Sequence, residues 1–169
     1  MTRNDFRTLY IFNDWANERL CKMLYDAFGE ETNLRDAAEE RTRALQEAAV
    51  HIIASQAVWR TRWQGTSPTS LLDPEEYPTP LSIRMAFGAE RARFWGYFAT
   101  LESDTALEQV IAFKNTAGQP YEEALCHMMQ HVITHGCYHR GQITGRLLDM
   151  GFEEQVISTD LITFYRENP

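Results

Sequence analysis

The stretch from Tyr121 to Met150 contains no proline and stops before Gly151. Pro120, directly before it, is a natural first-turn residue of a helix, and glycine is common just past a helix end. Its apolar residues recur at the three- and four-residue spacing that forms one helix face, at Leu125, Met128, Met129, Val132, Ile143 and Leu147. This pattern predicts the longest helix of the chain over 121–150.

Three further helices are predicted from the same spacing and from the residues that separate them. The first covers 5–28 and stops at Gly29, the second follows the N-cap residues Thr32 and Asn33 and ends near Trp63, and the third covers about 81–101. The segment 65–80 between the second and third carries Pro68, Pro74, Pro78 and Pro80 and cannot hold a regular helix. We therefore expect an all-α protein, a four-helix bundle with a long crossover between helices two and three.

Smaller elements complete the prediction. The run 110–113 and the turn-like residues 115–118 predict a small hairpin, and the tail 152–169 is expected to pack across the bundle. The charged run 35–43 is interpreted as a solvated helix start. No internal repeat or shift in composition marks a second domain, so residues 1–169 are predicted to form one.

Charge and composition exclude several classes of protein. The formal net charge of −8 would repel phosphate backbones, so no nucleic-acid partner is expected. No apolar run approaches the roughly 20 residues that span a bilayer, and residues 1–5 lack an apolar signal region, so we expect a cytoplasmic protein without a membrane partner. The cysteines Cys21, Cys126 and Cys137 form no CxxC pair and are expected to be reduced.

Four of the five histidines lie four residues apart on the predicted fourth helix: His127, His131, His135 and His139. A four-residue step turns a helix by only about 40°, so neighbouring side chains can bind one cation. On a helical wheel His139 lies inside the apolar stripe and His135 at its edge, whereas His131 lies further round and His127 points away. His135 and His139 are therefore the inward pair.

The fifth histidine, His51, flanks the apolar stripe of the second helix and is the natural third ligand. Three imidazoles leave coordination positions open, as in reactive metal sites. Zinc, nickel, iron and manganese all remain candidates. A di-iron carboxylate site fits less well because the chain has no Glu-x-x-His pair. The histidines could also be unrelated side chains that bind nothing.

The run from His131 to Gln142, with the order His-Arg-Gly-Gln at its end, resembles the signature of the DinB/YfiT-like family. The segments 13–20 and 159–161 and the pair His51 and Trp59 resemble other motifs of that family, in the same order. The resemblance implies a four-helix bundle, a homodimer, and a metal on His51, His135 and His139. It also implies a low-molecular-weight thiol as a cofactor, because some relatives are thiol-dependent transferases or isomerases.

Other residues are open to more than one interpretation or are assigned to the core. Asn13 on the apolar face of helix one could orient a metal-bound histidine or water, or tie two helices together. His131 could be a general base, a hydrogen-bond donor to a ligand, or a partly exposed surface residue. Cys137 is predicted to be a packed apolar residue rather than a ligand. The tryptophans are expected in the core or dimer face, with some lining a pocket: Trp15, Trp59, Trp63 and Trp95.

Three functional hypotheses follow. The first is a metal-dependent enzyme in which the ion activates a thiolate or water, as a thiol transferase or hydrolase acting on a small molecule. The second is a non-enzymatic stress-response protein that binds a metal or small ligand. The third is a structural homodimer whose histidines bind nothing.

Overall fold

Five α-helices and one antiparallel hairpin make up the described part of the chain, residues 1–36 and 40–168 of a computed structural model. The elements are α1 (Arg3–Phe28), α2 (Glu40–Trp63), α3 (Pro80–Ala99), β1 (Val110–Lys114), β2 (Pro120–Ala124), α4 (Leu125–Asp149) and α5 (Leu161–Glu167). Short 3-10 helices lie at Pro74–Glu76, Asp104–Glu108 and Glu153–Gln155. The predicted all-α class is confirmed. No described helix is both long and apolar enough to cross a membrane.

Local hydrogen bonds define where two of the long helices begin. Thr2 and Asp5 form a capping box before α1, in which the Thr2 hydroxyl accepts from the Asp5 amide and the Asp5 carboxylate accepts from the Thr2 amide. Thr79 and Ser82 form the same arrangement before α3, with Pro80 as its first residue. Each box satisfies backbone N–H groups that lack a partner within the helix, so it fixes the start of the element.

The four long helices pack in a ring, in which α1 and α2 each contact both α3 and α4. Two groups of buried apolar side chains fill the interior. One lies around Phe6, Tyr10 and Phe94, and the other around Leu20, Ile53 and Leu147. Phe164 of α5 packs edge-on against Phe12, so part of the tail covers α1 as predicted.

The hairpin before α4 corrects one predicted boundary. Residues 121–124 were predicted to begin the fourth helix, but Pro120–Ala124 form a strand that pairs with Val110–Lys114. The turn between them is closed by Asn115, whose side-chain oxygen accepts from the amides of Ala117 and Gln119, and by Gly118 at φ 81°. Pairing with β1 provides hydrogen-bond partners for backbone N–H and C=O groups that would otherwise be paired within a helix. The contact with a distant segment therefore overrides the local sequence pattern.

The connection from α1 to α2 also differs from the expectation. Thr32 and Asn33 do not cap the helix that the structure describes from Glu40: the Thr32 hydroxyl donates to the Phe28 carbonyl and the Asn33 side chain accepts from the Arg35 amide. Both groups therefore stabilise the turn that follows α1. Part of the charged run 35–43 lies outside the described residues. The predicted crossover is present as residues 64–79.

Candidate metal centre

The packing of α2 against α4 brings three of the predicted histidines together. His51 of α2 faces His135 and His139 of α4, at ring-centroid distances of 5.1 and 4.7 Å. Trp59, two turns further along α2, faces His131, one turn earlier on α4. The two helices therefore run in opposite directions along this face, and residues far apart in sequence meet on it.

The ring nitrogens of His51, His135 and His139 converge. One nitrogen from each ring lies within 4.8 Å of the other two. The Nε2 atoms of His135 and His139 are 3.2 Å apart. Two ligands about 2.0 Å from one tetrahedral ion would be separated by roughly 3.3 Å, so this spacing suits two ligands of one ion. Within residues 1–36 and 40–168, no other group of three His, Cys, Asp or Glu residues meets the same criterion.

Partial burial keeps two of these imidazoles uncharged near neutral pH. Burial and the nearby His139 lower the pKa of His51. Burial, followed by the charges of the other histidines, lowers the pKa of His135 to about 4. A neutral imidazole has a free lone pair, whereas an imidazolium has none, so these environments favour the form that binds metals.

Gln142 orients His139. The Gln142 side-chain oxygen lies 2.9 Å from Nδ1 of His139 and can only accept a hydrogen bond there, so the contact favours the tautomer with the proton on Nδ1 and a lone pair on Nε2. That lone pair faces Nε2 of His135. Two lone pairs at this distance repel each other unless a proton or a cation lies between them. The donor set therefore fits a divalent ion that accepts nitrogen ligands.

The remaining two histidines are not part of this cluster, although His131 lies next to it. His127 is exposed and pairs with Glu123 on the outer face of α4, as the helical wheel predicts. His131 is exposed, and its ring contacts both His135 and Trp59. Burial, and then the positive charge of Arg62, lower the pKa of His131.

Two predicted site residues have other surroundings. Asn13 is buried, and its side-chain oxygen accepts from Arg140, so its described hydrogen bond ties α1 to α4 rather than reaching a histidine. The prediction that Cys137 is a packed apolar residue is wrong. Its side chain is exposed and accepts from the Arg140 guanidinium, because position 137 lies on the outer side of α4.

Gln142 and Arg62 are the residues near the histidines to which sequence reasoning assigned no role. The spacing of three between His139 and Gln142 was a usable signal, since such residues are neighbours on a helix surface. Arg62 gave no comparable signal, because its surroundings include a side chain from the hairpin.

Comparison with known proteins agrees with this architecture. The DinB family model matches residues 1–166. The crystal structure of a DinB-like protein from Bacillus cereus ATCC 10987 is similar, with a TM-score of 0.56 and 21% sequence identity over 89% of this chain and 93% of that chain. At this identity the likeness concerns the fold alone. No curated protein sequence matches this chain significantly.

Proposed function

The chain belongs to the DinB family, and we propose that His51, His135 and His139 hold a divalent metal ion in a metal-dependent enzyme. The observation that carries this proposal is the convergence of one nitrogen from each ring within 4.8 Å of the others. The cluster contains no carboxylate or thiolate among the described residues, so its three ligands are neutral. Zinc and nickel suit such a nitrogen set best, and iron and manganese are further candidates.

The proposed chemistry follows from a ligand set that leaves coordination positions open. A bound ion of this kind lowers the pKa of a water or thiol and so supplies a nucleophile near neutral pH. His51, His135 and His139 hold the ion, and Gln142 keeps the His139 ring in the required orientation. His131 lies beside His135 and can take a proton from a group bound there. Thiol transfer to an electrophile, or hydrolysis of a small molecule, is the resulting reaction class.

A second candidate function is a non-enzymatic protein that binds a metal or small ligand under stress. The exposure of His131 favours the enzyme over this alternative, because a general base must reach solvent or substrate. The two functions share the same three ligands. They differ in what replacement of His131 does. In the enzyme, the variant would keep the metal and lose turnover; in the non-enzymatic protein, there is no turnover to lose.

Metal analysis of protein purified without a metal-affinity tag tests the site. We expect about one metal ion per chain in the wild type, and its loss in His51→Ala and His139→Ala, since two imidazoles alone bind weakly. His127→Ala is the matched control, because His127 lies on the same helix but is exposed and paired with Glu123. It should keep the metal.

A wild-type protein that neither contains nor takes up zinc, nickel, iron or manganese would contradict the proposal. Equal metal loss in His127→Ala and His139→Ala would contradict the assignment of the ligands. A protein with the metal in place is then assayed for thiol transfer and hydrolysis, with His131→Ala alongside.

A further inference from the structure

Arg62 is a buried arginine without a counterion. Its residue is 6% exposed, and its Nε atom has no hydrogen-bond partner. No ion pair within residues 1–36 and 40–168 includes it. Its guanidinium carbon lies 4.6 Å from the ring centroid of Trp59 and 5.2 Å from that of Phe113. Two aromatic rings therefore contact the cation, its buried Nε–H lacks an acceptor, and none of its N–H groups donates to another described residue.

Two other arginines with little solvent exposure, Arg60 and Arg140, use part of their guanidinium to donate to protein acceptors, although Nε of Arg140 has no partner either. Arg60 forms an ion pair with the buried carboxylate of Glu90 at 2.6 Å. Arg140 donates to Asn13 and Asn17. A buried charge is costly unless it is paired and hydrogen-bonded, so proteins rarely leave one without acceptors. Burial lowers the pKa of Arg62, in keeping with that cost, although an arginine stays charged.

The position of Arg62 relates it to the three histidines. Arg62 and His51 are eleven residues apart on α2, close to three full turns, so they share one face and lie roughly 16 Å apart along the axis. Side chains tilt towards the N-terminus of a helix, and Arg62 accordingly lies over Trp59, on the side of the histidines. Trp59 contacts His131, which contacts His135.

We propose that Arg62, Trp59 and Phe113 form a binding subsite for the carboxylate end of a small substrate whose other end reaches the three histidines. The inference rests on the proposed function for the use of the subsite, because the histidines supply the chemistry. The guanidinium binds the carboxylate oxygens, and the aromatic rings contact the apolar part of the substrate. An ion on three neutral ligands adds positive charge to the same face, which favours an anionic substrate.

A carboxylate fits this subsite better than a phosphate. One guanidinium offers two parallel N–H donors, which match the two oxygens of a planar carboxylate. A phosphate dianion ordinarily takes more than one cation. The nearest lysine on the hairpin, Lys114, follows Phe113 in β1, and successive residues of a strand point to opposite faces. Lys114 therefore cannot join Arg62 around one anion.

Benzoate binding tests the subsite without relying on turnover. Benzoate, its neutral analogue benzamide, and phenyl phosphate are titrated into wild-type protein as purified and after chelator treatment, with NMR detection of the tryptophan indole N–H signals. Chelator treatment excludes direct binding of benzoate to a metal. The variants are Arg62→Gln, which removes the charge, and Arg62→Lys, which keeps it without the planar fork. Arg19→Gln is the matched control, since Arg19 lies 4.5 Å from the Trp15 ring but is paired with Glu167.

In chelator-treated protein we expect benzoate to bind more tightly than benzamide or phenyl phosphate. The benzoate affinity should fall at least tenfold in Arg62→Gln, fall less in Arg62→Lys, and stay unchanged in Arg19→Gln. Equal benzoate affinity in the wild type and Arg62→Gln would overturn the inference, as would equal binding of benzoate and benzamide. Tighter binding of phenyl phosphate would overturn the carboxylate assignment. If Arg62→Gln fails to fold, the comparison of the three ligands on the wild type still decides.

The two proposals fail separately. Wild-type protein that takes up none of the four metals but binds benzoate through Arg62 would support the subsite and contradict the metal function. Protein that holds one metal ion on the three histidines and shows no Arg62-dependent binding would support the metal function and overturn the subsite.

Discussion

His139 shows how one hydrogen bond can set the chemistry of a side chain. Gln142 occupies Nδ1 of the ring, so the only free lone pair is the one on Nε2 that faces His135. Without this contact, the imidazole ring could rotate, or it could carry its proton on Nε2 instead of Nδ1. If the proposed site holds a metal ion, the free energy of metal binding should therefore depend on Gln142, although Gln142 is not proposed as a ligand.

Replacing Gln142 by leucine tests this dependence. We expect the metal affinity of Gln142→Leu to fall by about 10- to 100-fold, the usual range for a group that orients a ligand. A competition titration with a chromophoric chelator measures the affinity. Gln130→Leu is the control, because Gln130 is an exposed residue of the same helix. Unchanged affinity in Gln142→Leu would contradict the orienting role.

Individual residues differed in how far the sequence could predict them. The helical wheel of α4 separated His139 and His135 from His127, because a regular helix fixes the direction of each side chain. The burial of Arg62 could not be predicted, since it depends on Phe113, which the hairpin brings from 51 residues away. The exposure of Cys137 shows that an outward position on a helix outweighs the apolar preference of a thiol.

Among the elements, α1 and α4 are joined by a buried polar contact rather than by apolar packing alone. Arg140 is 1% exposed and donates to the side-chain oxygens of Asn13 and Asn17, at 2.9 and 2.7 Å. Both bonds come from one terminal nitrogen of Arg140, so removing either asparagine would take away one of its two acceptors. Such a contact fixes the position of α1 along α4, since a shift of either helix would break it.

Removal of Asn13 should therefore affect the stability of the fold and not the metal content. We expect Asn13→Ala to lower the free energy of unfolding by about 1–3 kcal/mol, because a buried charged donor loses an acceptor. Urea denaturation measures the loss, and Asn4→Ala, at an exposed position of α1, is the control. Loss of the metal in a folded Asn13→Ala protein would instead indicate that Asn13 acts on the histidines.

The sequence predicted which helices are present better than it predicted where each one begins and ends. The ends of α1 and α2 followed from Gly29 and Trp63, where the apolar spacing stops. The start of α4 was misplaced, because residues 120–124 are compatible with a helix and become a strand only through pairing with β1. Strand formation of this kind depends on distant residues, and a local pattern does not contain that information.

Over the whole molecule, acid should weaken the fold through its histidines. The pKa of His135 is lowered from 6.5 to about 4 by burial, so the unfolded chain binds this proton below about pH 6.5 and the folded chain only near pH 4. The stability associated with the neutral ring is complete above pH 6.5 and is lost as the pH falls towards 4. The lowered pKa values of His51 and His131 act in the same direction.

Urea denaturation of chelator-treated protein at several pH values from 7 to 4.5 measures this loss. We expect the free energy of unfolding to fall over that range, and to fall less in His135→Gln, whose side chain does not titrate. His127→Gln, at the exposed histidine, should follow the wild type. Identical pH profiles for His135→Gln and the wild type would contradict the argument.

The homodimer implied by the family stays a prediction at this scale, to be measured by light scattering.

The hairpin of β1 and β2 contributes Phe113 to the proposed Arg62 subsite but none of the three histidines. In the proposed function, chemistry and selectivity would therefore reside in separate segments of the chain, the first in α2 and α4 and the second partly in the hairpin. Changes in the length or sequence of residues 115–119 can accumulate without disturbing the histidine geometry, since the turn lies outside the helical ring. If the proposed function is correct, evolution could therefore change the substrate through the hairpin and leave the three histidines as they are.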